Sequence, residues 1–207
     1  MGLTEMYRES KKIFTADGNF LFDPCKQACI MKLVSFVLEE SNMFEFLINK
    51  LKAHPRKIVF TEGTDPRVLE ASARLLSGTF LTPVLVGDPE EIQKVAEEIG
   101  FNIRGAEIIN PATFEDMEKM VAELTALRKG KVTEEQAREL LKQGNYFGTM
   151  LVKMGYADSL LGGATYSTAD TVRPALQIIK TKPGNKIVSS CFILVRPSAT
   201  GDREVLA

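Results

Sequence analysis

From Met43 onward the apolar residues fall into short, regular blocks. Phe44, Leu47, Ile48 and Leu51 recur at helical spacing across residues 43–53. Residues 57–61 (KIVFT) then form an apolar run of strand length, of the kind buried on both faces of a parallel sheet. Asp65 and Pro66 read as the cap and first residue of a helix that carries Val68, Leu69 and Leu75. A second strand is expected over Thr82–Val86. The turn Gly87-Asp88-Pro89 follows, with a helix to about Ile99. Ala106–Ile109 reads as a third strand, ended by Asn110-Pro111. Helical patterns come next over Phe114–Lys129, Thr133–Lys142 and Asn145–Met154, and Thr133 with Gln136 fits a capping box. Residues 158–161 form one more strand-length run. A helix follows with Val172, Leu176 and Ile179 on one face. Lys186–Arg196 is rich in β-formers, and Arg203–Leu206 opens a further strand.

Strands alternating with helices indicate an α/β fold: a doubly wound, mainly parallel sheet with helices on both faces, in three layers. The start of a second domain is expected to follow it. The division expected is an extension over 1–42, the α/β domain over 43–185, and the opening of the second domain over 186–207. In such a sheet the ligand site lies at the carboxyl ends of the strands.

The stretch with most chemistry is GGATYSTADTVRPALQIIKTKPG, beginning at Gly162. Gly162 and Gly163 supply a tight turn after a strand. Thr165, Tyr166, Ser167 and Thr168 add four hydroxyls, and Ser167, Thr168 or Thr171 is the cap of the helix beyond. Pro174 favours a late start, because proline sits comfortably only in a first helical turn. Free N–H groups and the positive helix end make such a turn a ready anion site. Arg173 adds a planar fork for phosphate or carboxylate, although it is also placed to pair with Asp170. Arg128, in ALRKGK, reads equally well as an ordinary cation at a helix end. Glu62 to Asp65 is sufficiently explained as a turn and cap.

Composition narrows the classes. A net charge of −1 with no long single-sign run argues against a broad nucleic-acid surface. No apolar stretch approaches the roughly 18 residues needed to cross a bilayer. Three cysteines and one histidine, His54, fit neither a disulfide framework nor a zinc site, so a reducing cytoplasm is expected. Neither GxGxxG nor GxxxxGK[ST] occurs, so a nucleotide-cofactor loop is not indicated.

The run GGATYSTADTVRPALQIIKTKPG resembles the signature of bacterial phosphate acetyltransferases, and the resemblance extends from Met43 to Ala207. It implies interconversion of acetyl-CoA and phosphate with CoA and acetyl phosphate, with no cofactor beyond these substrates and no metal. It implies substrate-anion contacts from Arg173, in the family's DTxRP motif, and from Arg128, with Ser167, Thr168, Asp170 and Gly163 around them. Tyr166 stands where many family members carry histidine, which leaves the acyl preference open. The resemblance covers the first half of the family's usual length. The family's general base belongs to the later half, so no catalytic residue is assigned here and the chain alone is expected to lack acetyl transfer. Homo-oligomerisation is expected of the full-length form, and neither nucleic acid nor membrane is an expected partner. Phosphate butyryltransferases and the carboxy-terminal domain of large malic enzymes share the architecture. The alternative to an enzyme is an anion-binding module without catalysis of its own.

The resemblance starts at Met43, and residues 1–42 lack sustained periodicity, which suggests translation from an upstream start. Deleting residues 1–42 is expected to leave the thermal midpoint nearly unchanged. A loss of several kcal/mol would place that segment in the core.

Overall fold

Alternation along the strands decides which side chains meet which helices. The structure, a computed structural model, describes residues 45–185, Val188, 194–197 and 203–206. Expectations for residues 1–42, and for most of the run from Lys186 to Ser190 and on to Ile193, lie outside these. The described elements are α1 (Glu45–Ala53), β1 (Arg56–Phe60), α2 (Pro66–Gly78), β2 (Leu81–Val86), α3 (Pro89–Glu98) and β3 (Glu107–Ile109). They continue with α4 (Met117–Arg128), α5 (Glu134–Leu141), α6 (Gly144–Lys153), β4 (Ser159–Leu161), α7 (Thr168–Ile178), β5 (Leu194–Pro197) and β6 (Arg203–Leu206).

The first four strands form one parallel sheet in the order β3-β2-β1-β4, while β5 and β6 pair antiparallel in a sheet of their own. Successive strand residues point to opposite faces. Val59, Val84 and Val86 accordingly pack against Met120, Leu124, Leu141, Phe147, Met150 and Ile178 from α4 to α7. Their neighbours Phe60 and Leu85 pack the other way, onto Val68 and Leu69 of α2 and Ile92 and Ala96 of α3. This is the doubly wound α/β arrangement that the block pattern implies.

Caps fix where the helices begin. Asp65 accepts from the Arg67 N–H, Asp88 accepts from those of Glu90 and Glu91, and Thr133 and Gln136 complete a reciprocal capping box. The Asp65 cap and the Thr133–Gln136 box match the sequence reading, which took Asp88 only as part of a turn. The register of β4 on β1 is fixed at its start. Asp158 takes the Lys57 N–H at 2.8 Å and the Arg56 guanidinium at 2.6 Å, and its own N–H donates to the Lys57 carbonyl. Pro83 is tolerated inside β2 because β3 pairs only from Val84 onward, so at Pro83 the strand has an open side.

Two expectations need correction. Leu47 of α1 is exposed, although Ile48 and Leu51 from the same apolar stripe pack against the α2–α3 side. The last large helix also begins earlier than Pro174 suggested: α7 starts at Thr168, and Pro174 lies inside it. A proline there cannot donate to the carbonyl of Asp170, four residues back. Asn145 of α6 replaces the missing donor, its amide reaching that carbonyl at 2.7 Å. The exchange removes the cost of an orphaned acceptor and draws α7 onto α6.

Candidate functional site

The strand order reverses between β1 and β4, where crossovers leave the sheet in opposite directions. The loops after these two strands therefore face each other across a crevice. From β4 comes the turn Gly162–Ser167. Gly162 has no room for a side chain, since a Cβ would lie 2.6 Å from the Thr61 hydroxyl. Gly163 adopts φ of 104°, open only to glycine at low cost.

From β1 comes Glu62, whose side chain is buried and fills the centre of that turn. Its Oε2 accepts from the Gly163 N–H at 3.0 Å and from the Thr61 hydroxyl at 3.2 Å. Its Oε1 accepts from the N–H of Thr165, from the Thr165 hydroxyl at 2.9 Å and from the Tyr166 N–H at 3.2 Å. The start of α2 supplies a second tie of opposite polarity. Arg67 donates to the Ala164 carbonyl at 2.9 Å and forks onto Asp65. Burial acts to raise the Asp65 pKa, but hydrogen bonds from Arg67 and its charge outweigh it and hold the carboxyl below its ordinary value. Acceptors and donors one hundred residues away in sequence thus bind the turn from both sides.

This corrects the expectation that the turn's own N–H groups await an external anion. Those of Gly163, Thr165 and Tyr166 already serve Glu62, so the role of Gly163 in this structure is conformational. What the turn presents instead is the start of α7. Ser167 caps it, accepting the Asp170 N–H at 3.1 Å while its hydroxyl donates to Asp170 Oδ2 at 2.6 Å. Of the three possible caps, Ser167 is the one used; Thr171 turns its hydroxyl back to the Ser167 carbonyl. Thr168, the first residue of α7, is exposed. Asp170 lies 3.8 Å from the Arg173 guanidinium, whose side chain remains 58 % exposed. Ser167, Thr168 and Arg173 are therefore exposed at the cap and in the first two turns of α7, and Asp170 is half-buried among them.

Arg128 is not brought to that surface. It ends α4, and the neighbouring Leu127 carbonyl accepts from Lys180 at 3.4 Å, beyond the far end of α7. The Arg128 Nε is buried without a hydrogen-bond partner. Its assignment came from the motif alone, and spacing along the chain does not report which end of a later helix it will meet.

A pocket of about 650 Å³ lies beside the crevice, over the ends of β1 and β2 and the loop after β3. Thr61, Val86, Met117 and Leu141 wall it, Arg138 and Lys142 stand among its lining residues, and Tyr166 of the turn before α7 is another. Burial first, and the Glu62 charge second, push the Tyr166 phenol above its usual pKa, so it is protonated at neutral pH. Sequence reading passed over Arg138 and Lys142, because both sit in an amphipathic helix pattern where exposed cations are routine. Among the described residues no cluster of histidine, cysteine and carboxylate side chains is arranged to hold a metal ion, and no helix is long and apolar enough to cross a membrane.

Glu62→Ala is expected to cost about 3–5 kcal/mol in a denaturant titration, because it strands three backbone donors at roughly 1–3 kcal/mol each, offset in part by entering water. Glu62→Gln, which turns one accepting oxygen into a donor, should cost about half as much. A loss under about 1 kcal/mol for both would mean that the clamp does not hold the turn.

A family profile described as phosphate acetyl/butaryl transferase matches residues 42–206. The phosphate acetyltransferase of Bacillus subtilis (strain 168) is 49% identical over 156 residues, and that of Staphylococcus aureus (strain MRSA252) is 47% identical over the same length. Each alignment takes in 75% of this chain and 48% of the relative, so the chain spans about half the length of the curated relatives it matches. Among solved structures, the EutD phosphotransacetylase from Staphylococcus aureus superposes with a TM-score of 0.69 at 41% identity, covering 86% of this chain and 49% of that one. A phosphotransacetylase from Streptococcus pyogenes superposes with a TM-score of 0.70 at 45% identity, covering 80% of this chain and 50% of that one. With the profile running across nearly all of the residues from Met43 onward and the fold superposing as well, the chain belongs to the phosphate acetyl/butaryl transferase family.

Proposed function

We propose that this chain supplies the substrate-anion side of a cytoplasmic phosphate acetyltransferase, which exchanges acetyl-CoA and phosphate for CoA and acetyl phosphate. The observation that carries this reading is the start of α7. A buried carboxylate locks the turn before it, and Ser167, Thr168 and Arg173 are exposed at the cap and in the first two turns of the helix, at the switch point of the sheet. Helix polarity and the guanidinium fork both favour an anion there. A phosphate or acetyl phosphate held at this surface displaces only a long, exposed contact between Arg173 and Asp170, which is worth little in water.

In the reaction the deprotonated sulfur of CoA attacks the acetyl carbonyl, the bond from carbon to the phosphate oxygen breaks, and phosphate leaves. The work of Arg173 is to hold the phosphate and offset its charge as that bond breaks. Arg128, through the family resemblance, is a second candidate for substrate anions. Its buried, unpartnered Nε is a donor in want of an acceptor. The proton of the thiol needs a base. Both carboxylates at this surface are already engaged, Glu62 by the turn and Asp170 by Ser167 and Arg173. That engagement favours a second reading, in which the chain binds substrate anions and transfers nothing until a further polypeptide supplies the base.

Phosphate at ten times its dissociation constant stabilises a binding chain by about 1.4 kcal/mol, which raises the melting temperature by about 3 °C or more for a domain of this size. Arg173→Ala is expected to weaken binding about tenfold and to shrink that shift to about 1 °C. Arg104→Ala, an exposed arginine elsewhere, should leave it unchanged. Equal losses from both would reduce the effect to nonspecific charge.

A further inference from the structure

A proline inside a helix leaves the carbonyl one turn back without its usual donor, and the group that replaces that donor decides what the helix is tied to. In α7 the carbonyl belongs to Asp170, and the replacement is the side-chain amide of Asn145, 2.7 Å away. Asn145 is only 6% exposed. Its Oδ1 accepts the Tyr146 N–H at 2.9 Å, which leaves the NH2 group directed at α7. The next residue repeats the tie about two turns along α7, where the Tyr146 hydroxyl donates to Gln177 Oε1 at 3.0 Å.

Helix α6 is in turn seated on the end of β1. A Cβ on Gly144 would lie 2.6 Å from the Thr61 carbonyl oxygen, and one on Gly148 would lie 2.8 Å from the Thr61 methyl, so only glycine permits this approach. Thr61 precedes Glu62, the carboxylate that holds the turn before α7. The end of one strand therefore holds the candidate anion surface twice. Glu62 holds the turn, and Thr61, through α6 and Asn145, holds the helix.

We propose that Asn145 is a positioning residue for the candidate anion site, and that Pro174 frees the Asp170 carbonyl for it. Any other residue at 174 would close that bond within α7 and leave the carbonyl untied to α6. The tethered carbonyl belongs to the residue whose carboxylate lies 3.8 Å from the Arg173 guanidinium, so the tie acts within one turn of that group. A tilt of α7 away from α6 carries Arg173 off the place where Ser167 and the helix start meet an anion. The inference rests on the reading of Arg173 as an anion ligand. The rival account gives Asn145 no task beyond satisfying a buried carbonyl, which is a matter of stability alone.

The two accounts part in a double variant of the 207-residue chain. Asn145→Leu removes the donor at nearly constant volume, and Pro174→Ala returns a helical N–H to the Asp170 carbonyl. With both changes the carbonyl is satisfied within α7 and its tie to α6 is gone. Inorganic phosphate affinity is read by calorimetry, and the orientation of α7 by residual dipolar couplings of its amides against those of α6. Pro174→Ala alone should keep wild-type affinity and couplings, because a carbonyl oxygen accepts two bonds. The double variant should bind phosphate about fivefold more weakly, a large part of what losing the guanidinium costs, and its α7 couplings should no longer fit the alignment of α6. Wild-type affinity or wild-type couplings in the double variant overturn the proposal, whether or not Asn145→Leu alone folds. A wild-type chain that binds no phosphate sinks the anion reading instead, and the couplings then decide by themselves whether Asn145 orients α7.

Discussion

A carboxylate buried at the end of β1 holds the turn that follows β4, and the arrangement of the candidate site depends on that contact. Glu62 accepts from Gly163, Thr165 and Tyr166, so donors that would otherwise be costly to bury are satisfied at once. Arg67, in the first turn of α2, donates to the Ala164 carbonyl of the same turn. The clamp works only because β1 and β4 are neighbours in register, and Asp158 secures that register at the opposite end of the strands. The direction in which α7 leaves the sheet is then set at its start by Glu62 and along its length by Asn145, which fills the gap left by Pro174.

Much of this was legible in the residues. Apolar blocks gave the strands and both faces of the sheet, because burial enforces period two on strands and a stripe on helices. The caps at Asp65 and Thr133 were legible because capping is local, decided within three residues. Glu62 was not legible as a clamp. Its partners lie one hundred residues on, and an acidic residue after a strand reads equally well as a plain turn. Pro174 misled for a related reason. The rule against mid-helix proline assumes an orphaned carbonyl, and the donor that satisfies it comes from another helix. Arg128 illustrates the same limit, since a motif names a residue type but not the neighbour it meets after folding.

The comparisons and the geometry bear on each other. Membership of the phosphate acetyl/butaryl transferase family rests on matches that run across this chain but over about half of its relatives. Among the described residues, Val172 and Leu176 of α7 and Ile179 at its end are exposed, as is Arg173 on the same helix, while Glu62 and Asp170 are occupied by internal donors. A turn fixed this firmly has little freedom to adjust to substrate. The neighbouring pocket, with Thr61, Met117, Arg138 and Tyr166 among its lining residues, lies beside this turn.

The central claim is that Glu62 is the resident anion of the turn and that an external anion meets only the helix beyond it. The most direct measurement is a phosphate titration followed by backbone amide resonances in the 207-residue chain. The account predicts that the amides of Thr168, Asp170 and Arg173 shift with phosphate while those of Gly163, Thr165 and Tyr166 stay in place. Largest shifts at Gly163, Thr165 and Tyr166 would show phosphate displacing Glu62 from the turn, and would contradict it.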